Sequence, residues 1–291
     1  MKYFHNPFRR SRCPECGKTY DPTSTECPYC HASNPEYGPE YRSFRFTANI
    51  PWWRQILVFV TGSLGFQLIG VMLSLLVLLI LRLGPQSGLS ASEWTSFLAE
   101  YQKSAQYLTI VNDGAYAILI ISLLLILWRS NKTIFASFQN PRTWLGIPLG
   151  FGVIMLSVIW NVIASKLGAT TNQNETAVET TILYLPVLSV LMTGFVAPFC
   201  EELTYRVGAF GFLKRWNRVV AYLVVGLLFG LIHLHDFTSV NEWLAFPSYA
   251  IAGFSFCFIY EYFGFGASFL AHATNNVVAV ISVILSSLYA Q

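Results

Sequence analysis

From Ile56 onward the chain is a succession of apolar runs separated by short polar stretches, whereas the first fifty residues mix polar, aromatic and cysteine positions. A helix needs about 20 apolar residues, at about 1.5 Å of rise each, to cross a bilayer. On that measure the runs at 56–81, 107–128, 144–164, 182–214, 219–235, 244–261 and 265–288 predict seven transmembrane helices. The composition changes at Trp52–Trp53–Arg54. The expected fold class is therefore an all-α multi-pass membrane protein with a small N-terminal head. Residues 1–50 make the head and its linker, and residues 51–291 make the transmembrane domain. The first apolar run is too long for the h-region of a signal peptide, so it is expected to remain as a spanning helix.

Composition agrees with this pattern. Only 11% of residues are charged and 54% are hydrophobic, against about 25% charged in a soluble domain. The formal net charge of +3 is too small to argue for a nucleic-acid partner. What the basic residues give is sidedness. With the head cytoplasmic, 15 of the 18 Lys and Arg fall on the inner side, and only Arg82, Lys103 and Lys166 fall outside. The expected topology puts the N-terminus inside and the C-terminus outside.

The head carries "CPECGKTYDPTSTECPYC", in which Cys13, Cys16, Cys27 and Cys30 form two CxxC knuckles. Four thiolates at this spacing can close a tetrahedral zinc site, two ligands coming from each tight turn. A head this small cannot bury a self-sufficient core, so metal binding would be part of its folding free energy. A cytoplasmic location disfavours stable disulfides, and a redox centre needs one CxxC rather than two. The motif resembles a zinc ribbon, a structural or partner-binding module. Cys200 and Cys257 lie in apolar runs and read as small buried side chains.

Three polar clusters interrupt the last four apolar runs: "EELTYR" at Glu201–Arg206, "FGLIH" at Phe229–His233 and "HATNN" at His272–Asn276. Ionisable groups within a membrane are expensive and usually functional. On a helix Glu202 and Arg206 stand i,i+4 and can neutralise each other. Glu201 is rotated by about 100° and is left for another partner. Counting helix rise from Lys214 and Arg218 puts Glu201 and His233 at matched depth, with His272 expected to be shallower. Singly, each His or Asn reads as an interhelical hydrogen-bond partner. Together they offer two hydrolytic chemistries. Glu and His can activate water while His and Asn stabilise an oxyanion, or Glu201, His233 and His272 can hold a catalytic divalent metal. "NET" at 174–176 also matches a glycosylation acceptor.

In order, spacing and placement on successive helices, these motifs resemble the CPBP family of intramembrane proteases, which includes type II CAAX prenyl endopeptidases and bacteriocin-processing and self-immunity proteins. The family pattern EExxxR, FxxxH, HxxxN falls on Glu201-Glu202 and Arg206, Phe229 and His233, and His272 and Asn276. The resemblance covers about residues 180–290. It implies that Glu201 deprotonates the attacking water with help from His233. It further implies that His272 and Asn276 stabilise the oxyanion, and that Glu202, Arg206 and Phe229 shape the site. Val207 stands where many members carry glycine. The implied substrate is a peptide or lipidated protein in the membrane, with a protein partner for the ribbon. Two rival classes share the residues: a proton-coupled transporter using the Glu–His pair, and a non-catalytic membrane scaffold.

Overall fold

The computed structural model describes residues 11–20, 24–34 and 50–289. Of the basic residues used for sidedness, Lys2, Arg9, Arg10, Arg42 and Arg45 lie outside the described residues. In the head, β1 (Ser11–Arg12) pairs antiparallel with β2 (Thr19–Tyr20), Ser11 opposite Tyr20. The rest is helical: α1 (Trp52–Leu83), α2 (Ala91–Tyr101), α3 (Ala105–Ile126), α4 (Pro141–Lys166), α5 (Gln173–Tyr184), α6 (Pro186–Leu213), α7 (Arg218–Leu231), α8 (Val240–Phe263) and α9 (Phe265–Tyr289). Six of these, α1, α3, α4, α6, α8 and α9, are long and apolar enough to cross a membrane. The seventh apolar run is shorter. At 14 residues α7 extends about 21 Å, less than the roughly 30 Å hydrocarbon core.

Local sequence explains where these helices begin and end. Ser90, Asn172, Asn217 and Ser239 each cap a helix by accepting an N–H from the first turn. Ser90 and Glu93 complete a reciprocal capping box. The predicted run 182–214 is divided at Leu185, which precedes Pro186 and is driven out of helical conformation (φ −135°, ψ 73°). Gly264, at φ 90°, ends α8, and α9 begins at the next residue. Inside α8, Pro247 weakens the helical ladder, and the Trp160 indole of α4 donates to the nearby Leu244 carbonyl at 2.8 Å.

Helix α6 is wound in alternating pitch. Its stretches Met192–Val196 and Glu202–Phe210 are π-helical, flanking an α-helical Ala197–Glu201. The first wide turn lies just before Pro198, where an N–H is missing from the ladder. Such bulges recur at functional sites. The second leaves the Val207 carbonyl open to Gln55 Nε2 of α1 at 3.2 Å. Gln55 in turn accepts from Arg215 Nε at 2.8 Å, and Arg215 Nη2 reaches the Ile50 carbonyl at 2.6 Å. The start of α1 is thereby tied to the basic end of α6. At the same end Arg218 Nη2 pairs with the buried Glu261 at 2.7 Å, and the Tyr222 hydroxyl donates to the same carboxylate at 2.7 Å. The core packs α6 against α7, α8 and α9 around Phe199, Phe210, Phe229, Phe256 and Phe265.

Candidate active site

Glu201 closes the α-helical stretch of α6 and Glu202 opens the π-helical one, so the two adjacent carboxylates leave the helix on different sides. Glu202 is fully buried. Its Oε2 lies 3.4 Å from Arg206 Nε and accepts from the Ser268 hydroxyl, while its Oε1 lies 3.0 Å from His272 Nδ1. The expected Glu202–Arg206 pairing is present, and the guanidinium also faces the rings of Phe229 (4.5 Å) and Phe256 (5.3 Å).

Glu201 has different neighbours. Its Oε1 accepts from the Tyr116 hydroxyl of α3 at 2.8 Å. Its Oε2 is buried with no hydrogen-bond partner and lies 3.8 Å from His272 Nε2. That separation is too long for a hydrogen bond. His272 therefore stands between the two glutamates, its ring stacked on Phe256 at 4.5 Å. Because Nδ1 faces a carboxylate it carries the proton, and Nε2 is the nitrogen presented to Glu201.

This corrects the expected depth. Glu201 and His233 line the same cavity, as their matched depth implied, but the imidazole in closest contact with Glu201 is His272, which was expected to be shallower. The depth count assumed about 1.5 Å per residue. The π-helical Glu202–Phe210 has more residues per turn and advances less, so Glu201 sits nearer the basic end and level with His272.

His233 is placed by α7. Its Nδ1 donates to the Phe229 carbonyl at 2.6 Å and its ring stacks on Tyr249 at 4.4 Å, which leaves Nε2 as an acceptor. Asn276 donates from Nδ2 to the Thr193 carbonyl at 3.0 Å and accepts from Asn275 at 3.2 Å, keeping one amide N–H unassigned. That Thr193 carbonyl lies in the first π-helical stretch of α6, where the wide turn frees it. Glu201, His233, His272 and Asn276 all line one cavity of about 570 Å³, together with Tyr116 and Tyr249. Asn174, of the "NET" match, also lines it and donates to Tyr249, so this side chain is committed to the interior.

Sequence reasoning missed Tyr116, Ser268 and Phe256. Ser268 stands i−4 to His272 on α9 and carried a helical signal. Tyr116 is one of two tyrosines in the apolar run 107–128 and carried none.

In the head, all four Sγ atoms of Cys13, Cys16, Cys27 and Cys30 lie within 4.8 Å of one another, with Cys13–Cys30 at 3.5 Å and Cys16–Cys27 at 3.6 Å. A tetrahedral ion with metal–sulfur bonds of about 2.3 Å wants sulfurs about 3.8 Å apart, so the donor set fits a metal. In each knuckle the residue after the second cysteine is left-handed: Gly17 at φ 70° and His31 at φ 61°. The amide of Cys16 draws the Cys13 thiol down to about 7, while burial and the neighbouring thiols push Cys30 up to about 12. Among the described residues, Glu201, His233 and His272 do not form a second group this tight.

Fold and site together define an integral membrane protein of apolar helices with a buried carboxylate–imidazole centre. Residues 183–278, about a third of the chain and the part holding every motif residue, match the family model described as Type II CAAX prenyl endopeptidase Rce1-like. That segment is similar to the Rce1-like family of CAAX-type proteases, and the chain adds an N-terminal cysteine cluster consistent with a zinc ribbon. An uncharacterized protein of Mycoplasma capricolum subsp. capricolum is 28% identical over 166 residues, 52% of this chain and 47% of the relative. The chain spans about half the length of that curated relative. No solved structure matches it.

Proposed function

We propose that the protein is an intramembrane endopeptidase that hydrolyses peptide bonds of membrane-associated substrates, with CAAX-type prenylated proteins or peptides as the family-level class. The observation that carries this reading is the unpartnered, buried Oε2 of Glu201, which faces His272 Nε2 at 3.8 Å in the cavity wall. A water about 2.8 Å from each atom would bridge that gap. Glu201 takes its proton, and the hydroxide adds to the scissile carbonyl carbon. The oxyanion is met by the spare N–H of Asn276 and, once an imidazole has taken up a proton, by its Nε2–H. The proton then passes to the leaving nitrogen, the C–N bond breaks, and acid and amine leave. His233, with Nε2 open, assists the proton transfers. Glu202 and Arg206 hold His272 in place.

A divalent ion bound by Glu201, His233 and His272 would supply Lewis-acid activation of the same water. The cysteine head is read as a structural zinc ribbon that engages a protein partner. The positive-inside distribution supports a cytoplasmic head. Residues 1–50 would be the head, 51–291 the membrane domain, and about 180–290 the protease core.

The test is cleavage of internally quenched peptides, with and without a prenylated CAAX terminus, by purified protein in micelles. Glu201→Gln is expected to abolish turnover while remaining folded; wild-type turnover would sink the reading. Chelation in parallel on wild type and Cys13→Ser separates a metal at Glu201 from the metal of the head. Proton uptake without hydrolysis would favour the transporter, and neither activity would favour the scaffold.

A further inference from the structure

Tyr116 belongs to α3, in the second span and outside the matched segment 183–278. Its hydroxyl donates to Glu201 Oε1 at 2.8 Å, and its ring rests on Phe66 of α1 at 4.7 Å. Leu73 of α1 packs close to Gly114, where an added Cβ would meet its Cδ1 at 3.1 Å. Helices α1 and α3 therefore approach closely just beside Tyr116 and fix its backbone.

A free carboxylate has two equivalent oxygens and a soft terminal torsion. Here the two are not equivalent. Oε1 is taken by the phenol, whereas Oε2 has no hydrogen-bond donor and points toward His272 Nε2. Glu202 cannot supply this bias, because its own oxygens are engaged by Arg206, Ser268 and His272.

We infer that Tyr116 is a positioning residue for the hydrolytic water: by holding Oε1 it selects Oε2 of Glu201 as the proton acceptor and aims it into the cavity. This rests on the reading of Glu201 as the general base. The centre is then completed by a helix that the motif-bearing segment does not contain.

The experiment measures kcat, KM and thermal unfolding of Tyr116→Phe, Glu201→Gln and Phe66→Leu, all as full-length protein in micelles with the quenched peptide that wild type cleaves fastest. Loss of a hydrogen bond to a charged acceptor is expected to lower kcat of Tyr116→Phe about ten- to hundredfold, with KM unchanged and the unfolding midpoint lowered no more than in Phe66→Leu. Phe66→Leu removes the packing ring but keeps the hydroxyl, and is expected to retain kcat within a few-fold.

Full kcat in Tyr116→Phe, alongside an inactive Glu201→Gln, would overturn the inference alone. An equal kcat loss in Phe66→Leu would also overturn it, since packing would then suffice. Turnover by Glu201→Gln would overturn the base reading and the inference with it.

Discussion

Arg206 Nε lies 3.4 Å from Glu202 Oε2 with neither side chain exposed, and the guanidinium makes no hydrogen bond that meets geometric criteria among the described residues. Its charge is met by that carboxylate and by the faces of Phe229 and Phe256. Such a pair costs most when half of it is removed, because one charge is left buried alone. Arg206→Met is therefore expected to destabilise the fold by about 3–5 kcal/mol, and the double variant with Glu202→Gln by less than the sum. Unfolding in detergent measures this; a wild-type midpoint for Arg206→Met would contradict the arrangement.

The Ser268 hydroxyl offers one proton to two acceptors, Glu202 and the Phe256 carbonyl at 3.0 Å. Glu202 keeps His272 and Arg206 when Ser268 is lost. Ser268→Ala is expected to cost about 1–3 kcal/mol in stability and to reduce turnover less than His272→Ala does. If Ser268→Ala were the more damaging to kcat, His272 would not be the group that Glu202 serves.

Much of this was legible in residue patterns, and the remainder has identifiable causes. The apolar runs marked all six helices long enough to span, because a bilayer imposes length and hydrophobicity on each span independently, but they also counted α7, which falls short, as a seventh. The i,i+4 spacing of Glu202 and Arg206 gave their pairing. Periodicity could not give the pitch of α6, since a π-turn depends on where the freed carbonyls find partners, here Gln55 and Asn276. That pitch decides which imidazole Glu201 meets. Tyr116 was invisible for another reason: its role is fixed by how α3 packs on α6, a contact far apart in sequence.

In the cysteine head, His31 occupies a left-handed position (φ 61°) equivalent to that of Gly17. A non-glycine residue there costs about 1 kcal/mol, and the exposed His31–Glu26 contact at 3.3 Å offsets little of it. His31→Gly is expected to slow metal release, and Gly17→Ala to hasten it. Transfer of zinc from zinc-loaded protein to a chromogenic chelator measures both, and the opposite order would contradict the knuckle geometry.

Glu175 lines the cavity near the start of α5, and burial pushes its carboxyl above the ordinary 4.5, with Glu242 and Glu179 adding repulsion. A raised carboxyl pKa in the folded state means that the charged form costs stability. The cost is absent below the ordinary value and grows as pH rises through the folded one. Glu175→Gln is expected to raise the unfolding midpoint at neutral pH, with the gain vanishing below about 4.5. A gain that persisted unchanged in acid would not be electrostatic.

Gly253 of α8 touches no group proposed to react, yet an added Cβ would lie 2.7 Å from the Gly226 carbonyl and 2.8 Å from Phe229 Cβ. Both neighbours belong to α7, and backbone there cannot yield without moving the helix. Phe229 carries the Arg206 guanidinium on its ring and accepts the His233 Nδ1 proton at its carbonyl. Gly253→Ala is therefore expected to destabilise by about 1–3 kcal/mol and also to lower kcat by displacing His233, without altering any polar side chain of the cavity. Comparison with Gly152→Ala, where the Cβ meets nothing within 4 Å, controls for the substitution itself. Equal kcat in the two variants would mean that the α7–α8 contact does not set the position of His233.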